Sequence, residues 1–278
     1  IQLFCGSCFQ IMRLYFSSLL KTDLKYSSSA KNLFPVLSNC REKFTFFDGA
    51  KDIWARDYMP VKTKSGKYVS FRYKPSYLEN YDELRTDFRN EVAPNLALEN
   101  LVFSDINLDG GNVVFSPSKE KVIISDRVYS ENPSWHKAEL TAKLAKLLEA
   151  NVIIIPSLKS DMTGHADGMV RFVNENTVVA NAPLSPFGFE TKVKKALQNH
   201  GIEVLDFPYF DSNGDTAIGC YLNFLETGQT IYLPVFSVDT DNKAVQTAKH
   251  IFHKAIIPVN INEIAADGGL LNCISWET

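Results

Sequence analysis

Five short motifs recur along this chain at nearly constant spacing, and that periodicity is the strongest constraint on its fold. Asp57 lies in Trp54-Ala-Arg-Asp57-Tyr, Asp109 in Leu108-Asp109-Gly-Gly-Asn112, and His165 in Thr163-Gly-His165-Ala-Asp167. Asn223 lies in Tyr221-Leu-Asn-Phe224 and Cys273 in Asp267-Gly-Gly-Leu-Leu-Asn-Cys273. The successive intervals are 52, 56, 58 and 50 residues. A period of roughly 55 residues is the size of one supersecondary unit, which cannot bury its apolar face alone and must stack on copies of itself. Five such units account for the 278 residues. If each sets its motif near a common axis, the five side chains meet at the centre. The expectation is an α/β protein, a single domain over residues 1–278, whose βαβ-type modules close into a ring rather than an open sheet.

Within each interval the same patterns return: a motif segment, a hairpin strand, a helix and a further strand. The clearest helix follows Ser134, a residue able to cap it, with Leu140, Leu144, Leu147 and Leu148 on one stripe. Val152-Ile-Ile-Ile155 behind it is a continuous apolar run suited to a buried strand. Residues 113–115 and 121–124 read as a hairpin-like pair. Later copies read as strand 177–180, helix 191–199 and strand 204–205, then strand 230–234, helix 244–252 and strand 255–257. In the first third, 44–47 is an aromatic strand and 67–73 a strand ended by Pro75. The segment 82–92 has the charge and spacing of an amphipathic helix ended by Pro94, and 101–103 is a strand. Residues 9–20 fit either strand or helix, and the serine-rich stretch 21–31 fits a loop or a helix start.

Composition narrows the function classes. At 45% hydrophobic residues the chain can bury a core. The net charge is −3 and no run of Lys or Arg exceeds two residues, which argues against a nucleic-acid surface. No apolar run reaches the length of a membrane span. The first twenty residues are fairly apolar but include Arg13 and no clear cleavage site, so a targeting remnant is the weaker reading. The chain begins at Ile, which leaves room for an upstream segment. Five cysteines, Cys5, Cys8, Cys40, Cys220 and Cys273, are an odd number in a chain too long to need staples, so a reducing, cytoplasmic location is expected. Cys5-Gly-Ser-Cys8 has the spacing of a redox dithiol. No compact strand–helix–strand unit follows it, and a pair of buried structural thiols is the better reading.

His165 and Asp167 stand two apart on a segment read as extended, and so point to one side of a strand. Ionised Asp57 and Asp167 converging on one pocket repel each other unless a cation lies between them. A planar guanidinium, with its fork of N–H donors, fits such a pair. Cys273 then faces the guanidinium carbon. A thiol with an ordinary pKa of roughly 8.5 is mostly protonated at neutral pH, but a bound cation or protonated His165 lowers it. Thiolate attack gives a tetrahedral adduct, His165 protonates the departing ammonia, and an S-alkylthiouronium remains. His165 then activates water, which releases a ureido product. Asp109 is placed beside His165, favouring its protonated form. The substrate carries its own positive charge, so no cofactor and no metal is called for.

Each residue has a bland alternative. Asp-Gly-Gly is usually a turn, a cysteine near a C-terminus is usually a small buried side chain, and Asp57 beside Arg56 could be half of an ion pair. The shared period and mutually suitable chemistry outweigh those readings. The motifs also resemble, in the same order, those of the agmatine deiminase and Porphyromonas-type peptidyl-arginine deiminase family of guanidino-group-modifying enzymes, from about residue 50 to the end. That resemblance implies a five-bladed α/β propeller, the pentein fold. It implies Cys273 as nucleophile, His165 as acid-base residue, and Asp57 and Asp167 as guanidinium clamp. Asp109 is counted with the catalytic set, and Trp54, Gly110, Gly111 and Asn112 with the substrate-binding set. Asp109 stands where many members carry glutamate, Leu270 where glycine is frequent, and Asn272 where histidine often precedes the nucleophile.

The expected activity is deimination of a guanidine, with agmatine, giving N-carbamoylputrescine, preferred over peptidyl or free arginine. Free arginine adds a carboxylate that needs a basic partner. Arg72 and Lys74 alternate onto one strand face and are candidates, although a solvated face is the stronger reading. Competing classes are an amidinotransferase, a cysteine peptidase, disfavoured by the surplus carboxylates, and a non-catalytic pentein binding module. The expected partner is a small guanidino compound or arginine peptide, not nucleic acid or membrane, and a homodimer is compatible with the sequence.

Overall fold

The computed structural model describes residues 12–212 and 216–278. In chain order its strands are β1 (Arg13–Ser17), β2 (Lys43–Phe47), β3 (Val61–Lys62), β4 (Tyr68–Arg72), β5 (Leu101–Asn107), β6 (Val114–Phe115), β7 (Lys121–Ser125) and β8 (Asn151–Ile155). They continue as β9 (Val170–Phe172), β10 (Thr177–Asn181), β11 (Glu203–Phe207), β12 (Leu225–Glu226), β13 (Thr230–Val235), β14 (Ala255–Asn260) and β15 (Ser275–Glu277). They form five three-stranded sheets, ordered β15-β1-β2, β3-β4-β5, β6-β7-β8, β9-β10-β11 and β12-β13-β14. In every sheet the middle strand runs antiparallel to the first and parallel to the third. The repeat expected from the motif spacing is therefore present as a repeated sheet.

A parallel pair needs a long crossover. Four of these are helical: Ser27–Asn39 between β1 and β2, Lys137–Leu148 between β7 and β8, Phe189–Asn199 between β10 and β11, and Thr240–Ile251 between β13 and β14. The helix Lys137–Leu148 buries Leu140, Leu144 and Leu148 against Val122, Ile124 and Val152, while Leu147 stays at the margin of that cluster. Each buried leucine contributes about 1.5–3 kcal/mol relative to exposure. The helix starts after His136 and is not capped by Ser134.

The crossover from β4 to β5 departs from expectation. In place of a helix over 82–92 the chain makes a 3-10 turn at Asp82–Leu84, a five-residue π turn at Phe88–Val92 and a second 3-10 turn at Ala93–Asn95. Polar side chains capture the backbone here. Asp87 Oδ1 accepts from Asn90 N–H at 3.2 Å, Glu91 Oε2 accepts from Asp87 N–H at 2.6 Å, and Thr86 Oγ1 accepts from Lys51 N–H at 3.0 Å. Such bonds compete with the helical ladder. At the other extreme, the hard-to-read start of the chain supplies a regular repeat, β1, helix and β2, completed by β15 from the far end. Cys5 and Cys8 lie outside the described residues.

The architecture is a mixed α/β arrangement of small sheets. No helix among the described residues is long and apolar enough to cross a membrane. Each motif residue lies in the segment that enters the first strand of a sheet: Asp57 before β3, Asp109 before β6, His165 and Asp167 before β9, Asn223 before β12, and Cys273 before β15.

Candidate active site

Asp57 sits in a one-turn helix, Ala55–Tyr58. His165 is extended (φ −72°, ψ 146°), but Asp167 lies in the 3-10 turn Ala166–Gly168 that follows. The pair is thus not on one strand face as expected; a turn, not the pleat, brings both toward the other motifs. His165 Nε2 lies 2.9 Å from Asp109 Oδ2, and Nδ1 lies 3.6 Å from Asp57 Oδ1. Asp109, short as it is, reaches the imidazole. The Tyr77 hydroxyl donates to the same Asp109 oxygen at 2.9 Å.

The residues after Asp109 brace this arrangement. Gly111 N–H donates to Asp57 Oδ1 at 3.2 Å. A Cβ on Gly111 would stand 2.6 Å from Asp57 Oδ1 and 2.7 Å from His165 Nδ1, and one on Gly110 would stand 2.1 Å from the Arg56 carbonyl oxygen. Glycine is required by close approach. Asn112 Oδ1 accepts from Ser125 N–H at 2.8 Å and Ala166 N–H at 3.2 Å, fixing the turn that carries His165 and Asp167. Gly110, Gly111 and Asn112, expected among the substrate contacts, are not among the residues lining the cavity; Gly111 packs on Asp57 and His165, Gly110 on the Arg56 carbonyl, and Asn112 bonds the turn after His165. Trp54 does line the cavity, and its ring packs so tightly on Gly269 that a Cβ there would lie 2.2 Å from it.

Two other motifs hold the segment carrying Cys273, and a third is met by the Asn272 side chain. Asn223 Oδ1 accepts from Asn272 N–H at 3.1 Å, from Cys273 N–H at 3.3 Å and from the Cys273 thiol at 3.3 Å. Arg56 N–H donates to the Cys273 carbonyl at 2.9 Å, and Arg56 Nε donates to the Asn272 carbonyl at 3.3 Å. Asn272 Nδ2 donates to Asp167 Oδ2 at 2.7 Å. Tyr77, Arg56 and Asn272 carry no role in the sequence reading, nor does Asn223 beyond its place in the period. Asn223 was recoverable from that period and Asn272 from its position beside the thiol. Tyr77 sits in the irregular β4–β5 crossover and offered no signal.

Burial and like charge govern the titrations. Burial raises the Cys273 thiol well above its ordinary value, the Asp167 and Asp57 carboxylates add to this, and hydrogen bonds to Leu270 and Asn223 oppose it. Burial also raises the Asp57 carboxyl; the nearby imidazolium pulls it down, but Asp109, Asp167 and Asp52 push it up again. For His165 burial works against the charged form, yet Asp57, the hydrogen bond with Asp109 and the charges of Asp109 and Asp167 outweigh it and raise the imidazole. The free site accordingly holds a neutral thiol and a charged imidazole among carboxylates.

These groups open on a cavity of about 680 Å³ lined by Trp54, Asp57, His165, Asp167, Asn223 and Cys273. Eight carboxylate side chains line it against two lysines, Lys25 and Lys51, and no arginine is among its described lining residues. Both lysines are paired, Lys25 with Asp267 and Lys51 with Glu91 at 3.1 Å. Arg72 and Lys74 are exposed and lie outside the cavity wall. Among the described residues no group of three or more His, Cys, Asp or Glu side chains is arranged to hold a metal ion. Such an arrangement can hold a cation beside a thiol and a proton carrier.

Comparison with known proteins gives the same direction. A Lactococcus lactis subsp. lactis (strain IL1403) protein named "Putative agmatine deiminase" is 25% identical over 234 residues, 72% of this chain and 60% of that protein. The match thus spans about three-fifths of the length of that curated relative. In structure the chain resembles an agmatine deiminase of C. jejuni, with a TM-score of 0.73 and 18% identity over 96% of this chain and 92% of that one. It resembles equally an agmatine deiminase of Enterococcus faecalis, with a TM-score of 0.73 and 17% identity over 95% and 92% of the two chains. At such identities the likeness is one of fold. The family model described as Porphyromonas-type peptidyl-arginine deiminase matches residues 23–278. The chain belongs to the Porphyromonas-type peptidyl-arginine deiminase family.

Proposed function

We propose that this protein is a hydrolase that deiminates agmatine to N-carbamoylputrescine and ammonia through a covalent intermediate on Cys273. The observation that carries the reading is the cavity itself, in which thiol, imidazole and two clamp carboxylates share a wall where, among the described lining residues, carboxylates outnumber lysines and both lysines are paired. A guanidine with a cationic tail suits such a lining, whereas the α-carboxylate of free arginine finds no free basic partner among the described lining residues. Family membership supports the same chemistry.

Asp57 and Asp167 hold the guanidinium by paired N–H···O bonds, which fix its carbon before Cys273 Sγ. The bound charge offsets the carboxylates that keep the thiol protonated, so Sγ releases its proton to solvent as the substrate binds. Attack forms the C–S bond and a tetrahedral adduct. The protonated His165 donates its proton to the leaving nitrogen, ammonia departs, and the thiouronium cation remains held by the clamp. The now neutral imidazole takes a proton from water, which adds to the same carbon. Collapse breaks the C–S bond, forms the ureido C=O and passes the hydroxyl proton of the adduct to the departing thiolate, while His165 keeps the proton taken from water and is again charged. Asp109, with Tyr77 on the same oxygen, holds the imidazole and favours its charged form. In this reading the five sheets form a five-bladed propeller of a single domain, joined between its ends by the β15–β1 pairing, with the motif residues about its axis.

The direct test is an assay for ureido product and ammonia on agmatine, free arginine, and peptides with internal or C-terminal arginine. Agmatine is expected to turn over fastest, and Cys273→Ala to abolish turnover while still binding the substrate. Faster turnover of free or peptidyl arginine would reassign the substrate. Product appearing only with an added acceptor amine would make the enzyme an amidinotransferase, and an active Cys273→Ala would remove the thiol from the mechanism.

A further inference from the structure

The segment carrying the thiol is held in two separable ways. Its backbone is fixed by Asn223 Oδ1, which accepts from Asn272 N–H and Cys273 N–H, and by Arg56, which donates to the carbonyls of both residues. Ser275 Oγ adds a bond to the Asn272 carbonyl at 3.2 Å. None of these uses the Asn272 side chain. That side chain is turned the other way, and its amide donates to Asp167 Oδ2 at 2.7 Å with both residues buried. Asp167 comes from the turn before β9, 105 residues earlier in the chain.

We propose that Asn272 is a positioning residue which fixes the Asp167 carboxylate relative to the Cys273 thiol, so that a cation is held at attacking distance from Sγ. The role rests on the deiminase reading and deepens it. An ionised carboxylate only accepts hydrogen bonds. With one lone pair of Oδ2 occupied by Asn272, the rotamer of Asp167 is set and its remaining lone pairs face the cavity. Because the amide stands on the residue next to the nucleophile, movement of the thiol segment moves the clamp with it. The distance between bound cation and Sγ is then conserved, which matters because misplacement by about 1 Å costs roughly a hundredfold in rate.

The side chain can be removed while the backbone bonds persist, so the clamp can be loosened without releasing the thiol. The test compares alkylation of Cys273 by 2-chloroacetamidine, a planar cation, and by 2-chloroacetamide, its neutral counterpart, followed by intact mass in the wild type, Asn272→Ala and Asn272→Ser. The wild type is expected to react much faster with the amidine; without that preference the cation-clamp reading itself fails. In both variants the amidine rate is expected to fall about ten- to a hundredfold, the range of a hydrogen bond to a charged group, while the amide rate changes by less than about twofold. Loss of both rates together would mean that Asn272 only supports the thiol segment, and an unchanged amidine rate would mean that Asp167 needs no partner; either overturns the proposal. If one variant does not fold, the other carries the comparison. Combination with Asp167→Asn provides a second check, because the Asn272 effect should largely vanish in that background, and full additivity would contradict the coupling.

Discussion

Two charged regions flank the thiol segment, and they are assembled on opposite principles. On one side Arg56 bonds Glu277 through both carboxylate oxygens, and Arg171 donates to the carbonyls of Leu222 and Phe224 while lying 4.7 Å above the Phe224 ring. Arg56 and Glu277 complement each other, whereas burial pushes the Arg171 guanidinium down against the opposing charges of Asp167, Glu226 and Glu277. Burial alone would raise the Glu277 carboxyl, but Arg56 overrides it and the group sits below its ordinary value. On the other side Asp57, Asp109 and Asp167 crowd one imidazole, and burial plus like charge push the Asp57 carboxyl and the Cys273 thiol upward. The Arg56–Glu277 pair is electrostatically complete. The second arrangement crowds like charges, and in the proposed function a cationic substrate completes it. The two carboxyls show the contrast directly: Glu277, paired with Arg56, is pushed down, and Asp57, among other carboxylates, is pushed up.

The sharpest way to test that contrast is to make the same kind of change on each side. Asp167→Asn removes charge from the clamp and is expected to lower kcat/KM by roughly a hundredfold or more, the cost of truncating one partner of a buried charged contact. Its melting temperature should stay equal or rise, since a repelling charge has gone. Steady-state kinetics beside a thermal melt decide the matter, and an unchanged KM and kcat would refute the clamp. Arg56→Met on the opposite side should act the other way round. It loses the bidentate contact with Glu277 and the bond to the Asn272 carbonyl. The Glu277 side chain is 39% exposed, so water can take up the stranded carboxylate. The loss is therefore set at about 2 kcal/mol rather than the larger figure for a fully buried pair. In a chain of this size that lowers the melting temperature by roughly 5 °C. A variant that keeps its melting temperature but loses guanidine binding would place Arg56 in the site instead of beneath it.

How far the sequence reaches follows from the same division. The five sheets were legible because each repeat runs through the same order of motif segment and three strands before stacking on its neighbours, and that leaves a period of about 55 residues. The residues of the site were legible for a related reason, since Asp57, Asp109, His165, Asn223 and Cys273 occupy equivalent places ahead of the first strand of each sheet. The partners that tune them were not. Tyr77 reaches Asp109 from an irregular crossover, and Arg56 meets Glu277 across 221 residues, contacts for which neither periodicity nor composition leaves a trace. The failed helix over 82–92 has a different cause. Its pattern was amphipathic, but Thr86, Asp87 and Glu91 hold the backbone locally and to Lys51, and side-chain bonds of that kind outweigh propensity over so short a stretch.

The smallest expected effect tests whether Asp57 resembles Glu277 after all, since each carboxylate has a cationic neighbour. The Asp57 carboxyl is raised in the folded state. On unfolding it therefore releases its proton, and folding stability falls as pH climbs from about 4, where an exposed aspartate ionises, up through the folded-state value. His165 is raised as well, so its contribution is present in full below about pH 6.5 and is lost as pH passes its folded value. Asp57→Asn removes the first dependence and weakens the second, while its Oδ1 can still accept from Gly111 N–H. Below about pH 4, Asp57 is largely protonated in both folded and unfolded wild type, and variant and wild type should melt together. Toward pH 8 the wild type pays for an ionised, crowded carboxylate, and the variant should be the more stable by about 1 kcal/mol, a melting difference of roughly 2–4 °C. If Asp57 and the imidazolium instead form a satisfied pair like Arg56 and Glu277, the variant will be the less stable at every pH, and the excess of negative charge attributed to the site would have to be sought in Asp109 and Asp167 alone.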